Sequence, residues 1–113
     1  MYTYNATLMR VVDGDTIDVI FDLGFDVHLK SRVRLYGINA PESRTRDLEE
    51  KKKGLAAKSR LEDILQDSTF TIKTRLEAGK YGRVLGEIFL EDANVNQQLV
   101  KEGHATPYFG GKR

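Results

Sequence analysis

Cysteine and tryptophan are absent from this chain of 113 residues, and histidine and proline occur only twice each. Without cysteine there is no disulfide framework and no thiolate metal site, and cysteine usage says nothing about the redox compartment. His28 and His104 are too few for a zinc site of the usual nitrogen and sulfur kind, so any metal would be held by oxygen. Both are read as surface or packing residues. No apolar run approaches membrane-spanning length. Met1-Tyr2-Thr3-Tyr4-Asn5 has neither a basic leader nor an apolar signal core, so a soluble, cytoplasmic chain with no membrane partner is expected. An excess of one charge is missing too. Eighteen basic residues against 17 acidic ones leave a net charge of +1, and that balance is no evidence for a polyanionic partner.

What is present suits one globular domain over residues 1–113, since 40% of the chain is apolar and its length suffices for a core without staples. Ala6 to Val12 reads as a first strand. Ile17, Val19, Phe21 and Leu23 then alternate with Asp18 and Asp22, the period of a strand with one buried face. After a turn at Leu23-Gly24-Phe25-Asp26, alternation resumes with Val27, Leu29, Val33 and Leu35 on one face and His28, Lys30, Arg32, Arg34 and Tyr36 on the other. Short connections make these three strands antiparallel neighbours. Gly37 to Arg46 is a loop stiffened by Pro41. A helix follows from near Leu48, with Ala57, Leu61, Ile64 and Leu65 at spacings of three and four, and ends at Gln66-Asp67-Ser68. Phe70, Ile72 and Thr74 mark a fourth strand, Glu77 to Gly82 a turn, and Val84 to Leu90 a fifth strand. Asn94, with Gln97 three residues on, is placed to cap a short helix that Gly103 ends. The pattern predicts a β-rich α+β fold: a five-stranded Greek-key barrel of the OB type with one helix between strands 3 and 4 and a short one after strand 5. An open α+β sandwich is the alternative, because barrel closure leaves no local mark.

Two stretches carry candidate chemistry. Asp13-Gly14-Asp15-Thr16 is a tight-turn signal, because glycine takes positive φ without steric cost. Its two carboxylates could equally offer oxygen to a hard divalent cation. The loop from Arg34 to Glu42 puts a guanidinium at a strand end, then an amide oxygen and a carboxylate beside Pro41. Alone, Arg34 and Glu42 could be a structural ion pair. Basic residues also gather at Arg32, Arg34, Arg44, Arg46 and Lys51 to Lys53, and from Lys73 through Arg75 and Lys80 to Arg83. Solvated faces would explain these groups as well.

The acidic turn, the arginine-to-Pro-Glu loop and Lys80-Tyr81-Gly82-Arg83, in that order, resemble the thermonuclease family of staphylococcal-nuclease-like domains. The likeness runs from about Leu8 to about Ala105 and is that of the short members found in bacteria and their phages, which lack a long terminal helix. It implies a calcium-dependent nuclease on an OB-fold barrel, cutting DNA or RNA with little sequence preference and leaving 3′-phosphate ends. By that resemblance Asp15 is a direct metal ligand, Asp13 its outer-sphere partner, and the Ala40 carbonyl a further ligand. Glu42 matches the proposed general base. Arg34 and Arg83 match the phosphate-binding arginines, whose planar forks donate paired hydrogen bonds. Lys80 and Tyr81 match contacts to a second phosphate, and Tyr108 or Phe109 is the candidate surface on which a base stacks.

One departure bears on the metal. Asn39 stands where the family carries a second aspartate ligand; its amide still offers an oxygen but one negative charge fewer, so weaker calcium binding, or another divalent cation, is expected. The expected partner is nucleic acid, with no obligate protein partner and a monomeric chain. The competing reading is a catalytically silent OB-fold module that binds single strands or a protein. A third, a calcium-binding structural domain, leaves Arg34 and Arg83 without a purpose.

Overall fold

The period-two segments become the wall of a barrel in a computed structural model, which describes residues 2–76 and 84–108. β1 (Tyr2–Asp13), β2 (Thr16–Asp22) and β3 (His28–Leu35) follow one another as antiparallel neighbours. β4 is only Ile38–Asn39, and α1 (Leu48–Leu65) comes next. β5 (Thr69–Leu76) and β6 (Val84–Leu90) pair antiparallel, and β5 also pairs with the first half of β1. Parallel pairing of Val33 to Leu35 with Val84 to Gly86 joins β3 to β6 and closes the five-stranded barrel. Closure decides for the barrel over the open sandwich. The short β7 (Ala93–Asn94) leads into α2 (Val95–Lys101), and β8 (Thr106–Pro107) returns to pair with β4.

Inward residues from every strand fill the barrel, among them Ile17, Val19, Val33, Leu35, Ile72 and Ile88, all essentially without solvent contact. Each such side chain contributes about 1.5–3 kcal/mol relative to an exposed one. α1 covers the barrel with Ala57, Leu61 and Leu65, and α2 with Val95 and Leu99. The cap and the end of α2 are as expected, and the structure adds a cap on α1. Asp47 accepts from the N–H groups of Glu49 and Glu50, Asn94 accepts from Gln97 N–H at 3.1 Å, and Gly103 ends α2 at positive φ.

Two details differ from the sequence pattern. β1 starts at Tyr2 instead of Ala6, because β5 extends alongside it and pairs Tyr2 with Thr74. Val27 and Leu29 share the inward parity of Val33 and Leu35 yet are half exposed, and Phe25 at the β2–β3 turn is fully exposed. Alternation marks a face of a strand; it does not say how far the rest of the barrel reaches along it.

Candidate active site

The β1–β2 hairpin turns through Gly14 and Asp15, with Asp13 and Thr16 paired across it. Gly14 is not left-handed. A Cβ there would lie 2.7 Å from the Ala57 Cβ and 3.0 Å from the Ala40 Cβ. The glycine therefore answers to close approach of α1 and the Ala40 loop, which corrects the conformational reason the sequence suggested.

That approach buries Asp15 and connects it to the loop. Its Oδ2 accepts from the Ala40 N–H at 2.9 Å and pairs with Arg34 Nη1 at 3.5 Å, while Oδ1 accepts from the Thr16 hydroxyl at 3.0 Å. The Asp15 carbonyl accepts from the Leu35 N–H at 2.8 Å. Arg34, half-buried at the end of β3, also donates to the Leu35 carbonyl at 3.1 Å and to Asn39 Oδ1 at 3.0 Å. Its guanidinium is thus oriented by partners on three segments. Asn39 is set in place in turn by the β4–β8 pair, and the Tyr108 N–H donates to the Gly37 carbonyl at 2.8 Å.

A groove of about 360 Å³ gathers Asp13, Asp15, Arg34, Ala40 and Glu42 from these segments, with Glu42 exposed beside Pro41. Arg32 and Arg44 line the same groove and add positive charge. Asn39 lines instead an adjoining hollow of about 450 Å³ that shares Ala40, Pro41 and Glu42 with the groove and adds His104 and Glu50. Of the residues singled out by sequence, Lys80, Tyr81, Arg83 and Phe109 lie outside the described residues.

Three contributors carried no sequence expectation. Buried Ser43 donates its hydroxyl to Asp13 Oδ1, tying the Glu42 loop to the acidic turn. Gly54 in α1 meets that loop directly, since a Cβ there would fall 2.3 Å from the Glu42 carbonyl oxygen. An isolated glycine inside a helical pattern is the signal that could have found it. Buried Asn96 donates to the carbonyls of Tyr36 and Gly86 at 2.8 and 3.0 Å and accepts from the Ile88 N–H at 3.1 Å, fastening the segment after β3 to β6. Just outside the groove, Asp18 receives Arg32 and Arg10. Hydrogen bonds from Arg32 first, then Arg10, lower its pKa to about 2.

The possible metal donors are all oxygen: Asp13, Asp15, the Asn39 amide and the Ala40 carbonyl. Among the described residues no three of His, Cys, Asp and Glu converge closely enough to hold an ion by themselves. Asp15 Oδ1 carries one hydrogen bond, and a carboxylate oxygen accepts two. The donor set fits a hard divalent cation that keeps several of its waters, and does not fit a soft metal.

Residues 32–113 match the family described as Staphylococcal nuclease homologue. An uncharacterized endonuclease of Escherichia coli is 33% identical over 105 residues, covering 92% of this chain and 61% of the relative. A thermonuclease of Staphylococcus intermedius is 36% identical over 101 residues, covering 88% of this chain and 57% of its own length. Endonuclease YhcR of Bacillus subtilis is 35% identical over 120 residues, covering 94% of this chain but 9% of that protein. The chain therefore spans less than two thirds of the length of these relatives. Among the described residues no helix is long and apolar enough to cross a membrane.

Proposed function

The chain belongs to the staphylococcal nuclease homologue family, and from that premise we propose that it hydrolyses phosphodiester bonds of DNA or RNA, with calcium as its cation. The convergence of Asp15, Arg34 and Glu42 in one groove, from three separate segments, is the observation that carries this reading. Endonucleases and a thermonuclease among the relatives support it.

A phosphodiester is anionic and repels nucleophiles, so hydrolysis needs an activated water and fixed positive charge where negative charge develops. Glu42, exposed at the groove, takes the proton of the attacking water. Arg34 faces the phosphate oxygens and, with Arg83, stabilises their growing charge. As the water oxygen bonds to phosphorus the P–O5′ bond breaks, and the 5′ oxygen takes a proton from solvent and leaves as a hydroxyl, with the phosphate kept on the 3′ side. Asp15 would hold the cation, with Asp13 as its outer partner and the Ala40 carbonyl and Asn39 as neutral donors. When bound, the cation supplies Lewis-acid stabilisation of the phosphate. Lys80 and Tyr81 contact a neighbouring phosphate, and Tyr108 offers a ring to a base.

The test is digestion of single-stranded DNA, double-stranded DNA and RNA with calcium, magnesium or chelator. Chelator should abolish cleavage, Glu42→Gln should lower kcat by about 10²–10⁴-fold, and Arg34→Ala by about 10²–10³-fold. Cleavage that ignores chelator, or both substitutions, would overturn the mechanism. Strand binding by the wild-type chain with no cleavage under any cation would favour the silent module.

A further inference from the structure

The candidate active site takes up one end of β3, and the rest of the strand's outer face lies beyond it. Along β3 the inward positions are taken by Val33 and Leu35, so Lys30, Arg32 and Arg34 share the opposite face. Residues two apart on a strand stand about 6.8 Å apart, so the three cations form a row about 14 Å long that ends in the candidate active site. Neighbouring strands continue it sideways. Arg34 lies opposite Thr16, Arg32 opposite Asp18, and Lys30 opposite Ile20, while Arg10 of β1 lies opposite Asp18 on the other side.

We propose that this outer face of β1, β2 and β3 is an exosite that carries the phosphodiester backbone of the substrate strand beyond the bond being cut, through Arg32, Lys30 and Arg10. The proposal rests on the nuclease reading above and extends it from a single phosphate to a length of chain.

Continuity is the first argument. Arg32 lines the groove that holds Asp15 and Glu42 and also belongs to the Asp18 rung, so groove and face are one surface. Charge is the second. Asp18 holds both Arg10 (Nε to Oδ2, 2.9 Å) and Arg32 (Nε to Oδ1, 2.8 Å), so one carboxylate faces two guanidinium groups and a net positive charge remains. Exposure is the third. The side chains of Arg10 and Arg32 are 66% and 57% exposed, against 17% for Arg34, so they are oriented by Asp18 yet open to solvent. Arginine suits this double role, because its five donors allow it to pair with a carboxylate and still meet a phosphate. The row stops at the next rung, where Asp22 lies opposite His28 and caps the Gly24 N–H.

The plain alternative is an ion triad that only ties three strands together. Binding of a fluorescent single strand, one long and one a dinucleotide, separates the two when measured by anisotropy in chelator at several salt concentrations. Each phosphate contact on a single strand adds about 0.7 to the slope of log affinity against log salt. The double variant Arg10→Gln/Lys30→Gln should therefore lose about 1.4 of that slope with the long strand, while the dinucleotide slope stays as in wild type. An unchanged slope would overturn the proposal. So would a loss equal for both lengths, as structural damage would give, or a loss seen only in Lys51→Gln/Lys52→Gln, which places the strand along α1. Because binding is read without cleavage, a wild type that binds long strands through this face but cuts none removes the nuclease reading and leaves the exosite standing.

Discussion

At position 39 an amide rather than a carboxylate receives Arg34, through Oδ1 at 3.0 Å. An amide oxygen orients the guanidinium without adding a charge beside buried Asp15. A carboxylate there would add one unit of negative charge to a donor set whose carboxylates are both on the acidic turn. Calcium affinity in oxygen sites is tuned by ligand charge, so Asn39→Asp should bind calcium several-fold more tightly. Calorimetric titration of both proteins measures this directly, and equal affinities would sink the argument. The residue was legible because the surrounding motif was legible: Arg34, Pro41 and Glu42 frame it. Ser43 was not, although it sits next to Glu42. Its meaning lies in a hydrogen bond to Asp13, thirty positions away in the chain, and no local spacing announces such a contact.

Helix α1 does more for the site than cover the core, because it touches both halves of it through small residues. Ala57 meets Gly14 in the acidic turn, and Gly54 meets the backbone of Glu42 and Ser43. A side chain at either glycine forces the turn or the loop away from the helix, and overpacking of this kind costs about 1–3 kcal/mol. Gly14→Ala should lower the melting temperature and, by displacing Asp15, weaken cation binding. Ala57→Gly alone costs about 1 kcal/mol of helix propensity, but it removes the nearest atom that a new Cβ at 14 would strike. The double variant should then be less destabilised than the sum of the singles, by at least about 0.5 kcal/mol of coupling. Denaturant melts of the four proteins complete the cycle, and simple additivity would place the clash elsewhere. The sequence marked Gly14 as a turn residue for its conformational freedom. The physical reason is a helix arriving from more than forty positions downstream, which only the fold displays.

Across the molecule, local patterns were enough to find every long strand and both helices among the described residues, since alternation and 3.6-residue spacing are properties of a segment and its own two faces. They did not reveal closure. The parallel contact between Val33 to Leu35 and Val84 to Gly86 joins residues 51 positions apart, and Asn96, which fastens this region, reads locally as an ordinary polar helix residue. Two carboxylates likewise act over long separations. Asp18 draws Arg10 and Arg32 across three strands, and Glu102, just after α2, takes two hydrogen bonds from Arg60 of α1 at 2.7 and 3.0 Å. Arg32, then Arg10, lower the Asp18 pKa from 3.8 to about 2, and Arg60, then Gln98, lower that of Glu102 from 4.5 to about 2. A carboxylate with a folded value below its unfolded one is stabilising when ionised. Its contribution is complete above the unfolded values, shrinks as pH falls below them, and is gone once pH has passed through the folded values. Both pairs are partly exposed and screened by solvent, so each contribution is modest. The wild-type melting temperature should therefore decline as pH is lowered from 4.5 to about 2. Asp18→Asn/Glu102→Gln should melt lower at neutral pH and show a shallower decline through that window, because it has already lost what acid removes. An equally steep decline in the double variant would mean that other carboxylates govern the acid stability of the barrel.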